Sequence, residues 1–282
     1  DVIALISLYR PGPMDSIPTY LRNRHEPDKI SYKTPQLAHI LDVTNGCIVY
    51  QEQVMQIFRE LAGFSFGQAD NVRRAMSKKK HAVMEAEREH FVHGCTEPGH
   101  ECPGCVANGI SEKVANEIYD EMSSFASYAF NKSHAACYAY VAFQTAYLKC
   151  HYPSEFMAAL LTSVLDNTDK VIEYSGECAR LGIKVLPPDV NISNGGFTAD
   201  DGKIRFGLNA VKNVGRNLIE RVVEERKEKP YASLYDFCKR MHGNELNRRA
   251  VECLIKAGAF DHLGNNRHSH VEAVEGILKS IE

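Results

Sequence analysis

Between Phe125 and Lys149 the chain reads FASYAFNKSHAACYAYVAFQTAYLK, and this run limits what it can fold into. Aromatics, small residues and the polar centre Asn131-Lys132-Ser133-His134 crowd into 25 positions. A plain amphipathic helix keeps polar residues on one face and aromatics on the other. Here Tyr128, Phe130, Lys132, His134, Tyr138 and Gln144 are interleaved. Such interleaving suits a surface that meets phosphates and stacked bases. The run predicts at least one long helix, starting near Ser133.

A second cationic element stands some 50 residues earlier. VRRAMSKKK, Val72 to Lys80, places Arg73, Arg74, Lys78, Lys79 and Lys80 within eight residues. On a helix, Arg73, Ser77 and Lys80 share one side, as do Arg74 and Lys78. The expectation is a broad cationic ridge without nearby acids, on which arginine grips phosphate with two prongs and lysine acts as a point charge. A solvated helix end, with cations at the negative pole of its dipole, fits the same segment. NKSHA is also double-edged, because Asn131 or Ser133 can simply cap a helix.

The net charge of −3 makes any nucleic-acid surface local, with acids balancing it elsewhere. At 282 residues and 44% apolar, the chain can hold two or three domains with real cores. No apolar run approaches a membrane span and no signal peptide is seen, so the expected setting is cytoplasmic. Nine irregularly spaced cysteines argue for reduced thiols rather than a disulfide framework. The start at Asp1 without Met suggests a piece of something larger.

Helices are expected at about 49–62, 67–76, 82–92, from Ser111, at Ser154–Leu165 with Ser154 as cap, and at Thr168–Leu181 closed by Gly182. Residues 19–45 read as polar loop with a short helix near Gln36–Leu41, and 93–110 as loop. LPPDVNIS reads as linker, and GGFTADDGKIRFGL as a β-hairpin turning at Asp201-Gly202. The domain boundary is placed within 187–207, with short helices following. His93, Cys95, His100, Cys102 and Cys105 offer five donors in thirteen residues, including a CxxC pair. A zinc knuckle and a thiol-bearing loop both fit them. LNAVKNVG before a helix from Asn217, and LNRRAVECLIKAGAFDHLG from Leu246, suit helix-hairpin-helix units, whose turns offer backbone N–H groups to DNA phosphate. Plain αα-hairpins are the alternative. No two-metal acidic cluster, P-loop or nucleophile elbow is present.

Taken in order, LISLYRPGPMDSIPTYLRNR, ILDVTNGCIVYQEQVMQI, LAGFSFGQADNVRRAMSKKK, the NKSH run, LGIKVLPPDVNIS, IRFGLNAVKNVG and LNRRAVECLIKAGAFD closely resemble the C-family replicative polymerases, the alpha subunit of bacterial DNA polymerase III. The resemblance covers nearly the whole chain. It implies a mainly α fold: a multi-helical fingers domain at 1–186, a linker and short β-hairpin at 187–207, and a tandem helix-hairpin-helix region at 208–282. Arg73 and Arg74 match the motif that faces the incoming triphosphate, and Lys78, Lys79 and Lys80 match its lysines. Asn131, Lys132, Ser133 and His134 match the segment on the active-site side of the fingers. Lys212, Val214, Gly215, Arg216, Arg248 and Arg249 fall in the hairpin region and would touch duplex backbone. The implied partners are primer–template DNA and dNTP, with replisome subunits bound through regions outside the chain and no membrane. Catalytic aspartates and their Mg2+ belong to the family's palm domain, so the resemblance implies no polymerisation by this chain alone; a stand-alone DNA-binding module is the alternative. Zinc at Cys95, Cys102 and Cys105 is not expected, because the family varies in that loop. Two departures stand out: Ser77 replaces the motif's glycine, and Asn213-Val214-Gly215 replaces the usual Gly-Val-Gly.

Overall fold

The computed structural model describes residues 1–78, 81–126, 130–243, 246–264 and 266–281; for residues 76, 77, 81, 82 and 126 it describes backbone alone. The fold is mainly α with one small sheet, as expected. Two compact units emerge, Asp1–Phe143 and Gln144–Glu282. Among the described residues no helix is long and apolar enough to cross a membrane.

The first unit holds α1 (Val2–Leu8), α2 (Ile17–His25), α3 (Ala38–Leu41), α4 (Gln51–Ala62), α5 (Phe66–Ser77), α6 (His81–His93), α7 (Gly104–Ala107) and α8 (Glu112–Ala126). Helix α9 (Lys132–His151) carries the division between the units. The core of the first unit is built on α4, whose Val54, Ile57, Phe58 and Leu61 recur at three and four and are all buried. Phe58 meets Phe91 edge-on at 5.0 Å and Tyr119 at 6.0 Å, which ties α6 and α8 to α4. Gly63 ends α4 in the left-handed region (φ 75°), and a Cβ there would lie 2.5 Å from the Pro103 ring, so a larger residue fails on both counts.

Helix α4 begins at a buried polar knot. The Gln53 carboxamide oxygen accepts from the backbone N–H of Val49 (2.9 Å) and Tyr50 (3.0 Å). Its NH2 donates to the Ile40 carbonyl (3.1 Å) and to Thr44 Oγ1 (2.7 Å), and Thr44 Oγ1 in turn donates to the Cys47 carbonyl. Gln53 and Thr44 are both buried, so these bonds have no water to replace them. They fix the chain reversal from α3 into α4.

The second unit holds α10 (Pro153–Ser163), α11 (Thr168–Arg180), β1 (Val185–Leu186), β2 (Thr198–Asp200), β3 (Lys203–Arg205), α12 (Arg216–Glu225), α13 (Leu234–Met241), α14 (Arg248–Ala257) and α15 (Arg267–Ile281). β2 and β3 form the expected hairpin, with Asp201 and Gly202 both at positive φ, and β1 joins β3 in parallel to give the order β1-β3-β2. Met157, Leu161, Cys178 and Ile204 form one core; Leu218, Val222, Phe237, Val251, Leu254 and Phe260 form another.

Several local expectations change. Residues 17–25 are helix α2 rather than loop, because Pro18 sits within the first turn, where its missing N–H costs nothing. Pro153, not Ser154, opens α10; Tyr152 is the cap residue, and the Ser154 hydroxyl turns to Glu155. The segment read as linker is packed: Arg226 donates to the carbonyls of Val190, Ile192 and Ser193, and the Val190 amide bonds Ala259. The cysteine segment is also more than loop. Cys95 and Cys102 pair through both backbone bonds (2.9 Å each), and Gly104–Ala107 turns as α7, with Cys105 fully buried. Burial pushes the Cys105 thiol up to about 12, while Cys137 and Cys150 are exposed.

Two outcomes follow from this packing. Gln53→Leu leaves two buried amides without an acceptor and should lower stability by about 2–4 kcal/mol, with lost hydrogen-exchange protection at Val49 and Tyr50; an unchanged urea midpoint would contradict the knot. At pH 8 the raised Cys105 thiol is almost wholly protonated, so it should react with a disulfide reagent about a hundredfold more slowly than Cys137. Equal rates, read by peptide mass after timed quenching, would contradict its burial.

Candidate functional site

The two cationic motifs, distant in sequence, meet at the start of α4. Residues 50–52 do the joining. The Gln51 amide donates to the Phe130 carbonyl (3.0 Å), and Tyr50 and Phe130 form a short parallel bridge. The Glu52 carboxylate accepts the backbone N–H of Lys132 with both oxygens, at 3.1 Å each. A carboxylate there also favours the positive pole of α9. The Gln51 side chain reaches the other way and accepts from Arg73 Nη1 at 3.0 Å. Within three residues, α4 therefore holds both the NKSH turn and the arginine helix.

On α9 the structural role of Asn131 is explicit: its Oδ1 accepts the His134 amide at 2.9 Å, so Asn131 is the cap. Asn131, Lys132, Ser133 and His134 are all exposed. Lys132 Nζ lies 5.5 Å from the centre of the Tyr50 ring. The rings of Phe130, His134 and Tyr138 follow one another in tilted contacts at 5.3 and 4.6 Å, and the Arg10 guanidinium lies over the Phe130 ring at 4.8 Å. Helix α9 buries Ala135 and Ala139 and leaves Tyr138, Tyr140 and Phe143 more than half exposed. Its alanines make the packing face, which explains why the aromatics could not be sorted onto one. Tyr128 lies outside the described residues.

The expected ridge without nearby acids is corrected at α5. Asp70 stands three and four residues before the arginines, on the same face. Its Oδ1 accepts from Arg73 Nε (2.9 Å) and Nη2 (2.7 Å), and its Oδ2 pairs with Arg74 Nε at 2.8 Å. The hydrogen bond from Arg73, and then the nearby positive charges, hold the Asp70 carboxyl below its ordinary range. This pairing is therefore complete at neutral pH and is lost only as pH falls through that lowered value. Arg73 is mostly covered, at 24% side-chain exposure, whereas Arg74 is at 65%. Arg74 and Lys78 line a shallow pocket of about 270 Å³ with Asn71, Ala75 and Val83. Lys79 and Lys80 lie outside the described residues.

In the second unit the first hairpin is well formed. Asn213 takes the left-handed conformation (φ 62°), the role that glycine would otherwise fill. Gly215 is extended (φ −73°) and caps α12, so its backbone needs no special freedom. Lys212 is exposed and Val214 half-buried against the core. Arg216 is tied to both oxygens of Asp166 by Nη2, at 2.8 and 2.7 Å. Arg248 is held between Glu252 and Glu275, each at 2.7 Å, while Arg249 is exposed. Among the described residues no group of three or more His, Cys, Asp or Glu side chains is placed to hold a metal ion.

Sequence reading missed Tyr50, Gln51, Glu52 and Asp70. Only Asp70 left a signal, its spacing of three and four from the arginines.

Residues 1–99 match the family described as the bacterial DNA polymerase III alpha subunit finger domain, and residues 182–270 match a helix-hairpin-helix motif. The DNA polymerase III subunit alpha of Thermus aquaticus is 49% identical over 99% of the chain. The subunits named likewise from Bacillus subtilis (strain 168) and Escherichia coli (strain K12) are each 43% identical over all of it. The chain spans only 22–24% of these relatives. By these matches it belongs to the DNA polymerase III alpha subunit family, as the segment with the finger domain and the helix-hairpin-helix motif.

Proposed function

We propose that this segment receives the incoming deoxynucleoside triphosphate in a replicative DNA polymerase and contacts the backbone of duplex DNA. The observation that carries the reading is the cluster of Arg73, Arg74 and Lys78 beside the exposed start of α9. Phosphoryl transfer asks a protein mainly to position the triphosphate and offset its charge. Arginines anchored on a helix supply both, and the neighbouring Asn131–His134 turn, with the row of tilted rings Phe130, His134 and Tyr138, offers polar and aromatic groups to the nascent base pair. Lys79 and Lys80 belong to the same motif.

Residues 1–186 act in this reading as the fingers and 208–282 as the duplex-gripping region, joined through 187–207. There Lys212, Val214, Gly215 and Arg216 approach one phosphate at the start of α12, and Arg248 and Arg249 approach the backbone at the start of α14. Lys212 and Arg249 carry most of the charge contact, because Arg216 and Arg248 already face carboxylates. In this reading the catalytic carboxylates and the Mg2+ they would hold belong to a palm domain elsewhere in the subunit, as the family resemblance implies. Replisome subunits would bind outside this segment.

In the full-length subunit, the Arg73→Ala/Arg74→Ala double variant should raise the dNTP dissociation constant by about tenfold or more, read by single-turnover incorporation, with primer–template affinity held. An unchanged nucleotide requirement would refute the triphosphate role. Lys212→Ala should weaken duplex binding and lower the slope of log K against log salt by about one. Identical slopes by fluorescence anisotropy would remove Lys212 from the interface.

A further inference from the structure

We infer that Asp70 is a positioning residue that splits the arginine pair into an anchor, Arg73, and a phosphate-contacting arm, Arg74. The inference rests on the triphosphate reading above and deepens it.

The division follows from which nitrogens are engaged. Arg73 gives Nε and Nη2 to Asp70 and Nη1 to Gln51, so two helices hold its guanidinium from different sides. That guanidinium is pinned and mostly covered. Arg74 gives Asp70 its Nε alone, and its two terminal nitrogens have no partner among the described residues. A guanidinium held at Nε presents its opposite end, Nη1 and Nη2, as the fork that phosphate oxygens take in pairs. The exposed side chain of Arg74 lines the same pocket as Lys78, and Arg73 does not line it.

Asp70 therefore does two things through other residues. By joining Arg74 to the pinned Arg73, it transmits to a half-free side chain the rigidity of the α4–α5 contact. It also offsets part of the repulsion between two adjacent guanidinium groups, which lets both stay on one face before a ligand arrives. A long arginine side chain that is already oriented loses less freedom on binding. A carboxylate this close to an anion site weakens plain charge attraction, so its value lies in direction rather than in added positive charge.

The test is single-turnover dNTP incorporation by the full-length subunit, with Asp70→Ala, Asp70→Asn and Asp70→Glu. Asp70→Ala should cut kpol/Kd for dNTP by about tenfold, with primer–template affinity unchanged. Asp70→Glu should recover most of the loss, because it still reaches both arginines. Asp70→Asn, nearly isosteric, carries the test if the Ala variant folds poorly, and it should lie between the other two. In an Arg74→Ala background, Asp70→Ala or Asp70→Asn should cost less than about twofold more, and Arg74→Ala should raise the nucleotide Kd more than Arg73→Ala does. A merely structural Asp70 gives additive losses in that background, or no loss at all, and either result overturns the inference. If instead the double arginine variant binds nucleotide normally, the triphosphate reading itself falls and takes this inference with it; a defective arginine variant beside a normal Asp70→Ala or Asp70→Asn enzyme overturns the inference alone.

Discussion

A single buried amide, the side chain of Gln53, is what the site in the first unit depends on. It binds the amides of Val49 and Tyr50 on one side and the Ile40 carbonyl and Thr44 hydroxyl on the other. With all of these groups away from water, the geometry of the entry into α4 has no cheap alternative. Residues 50–52 are then presented as a rigid bracket. Gln51 holds Arg73 and Phe130, and Glu52 accepts the first amide of the helix that begins at Lys132. Two cationic motifs far apart in sequence are brought to one surface because both are tied to the same three residues.

Charge balance decides which cations on that surface are available. Many cations of this chain, whose net charge is −3, face carboxylates, and the candidates in the hairpin region show it, with Arg216 on Asp166 and Arg248 between two glutamates. Exposed pairs of this kind add little to stability. Their importance is that a phosphate must compete with the carboxylate already in place. At α5 the arrangement is asymmetric: the one carboxylate of Asp70 takes most of Arg73 and only the inner edge of Arg74. The same ion pair that hides one arginine thus aims the other.

Periodic apolar spacing made most of the longer helices legible in advance. α4, α5, α6 and α11 fall within two residues of their expected bounds, because each presents one apolar face to a core. Helix α2 was obscured by Pro18 and a polar sequence, and β1 by its length of two residues. The start of α9 was legible through Asn131, but its facing was not, since small alanines rather than large apolar residues make its contact. The cationic residues of the site stood out as motifs. Their partners did not: Gln51 and Glu52 look like ordinary first-turn helix residues, and only tertiary structure places them against Arg73 and Lys132. Asp70 alone among these partners is legible from helical spacing, three and four residues before the two arginines.

The most direct measurement is an experimental structure of the full-length subunit with primer–template and a non-hydrolysable dNTP. Triphosphate oxygens within hydrogen-bonding distance of Arg74 and Lys78, with Asp70 still on Arg73 and Gln51 still bridging to Phe130, would establish the bracket as the device that builds the site. A triphosphate bound away from α5, or an Arg73 that has left both Asp70 and Gln51 to meet it, would contradict that account.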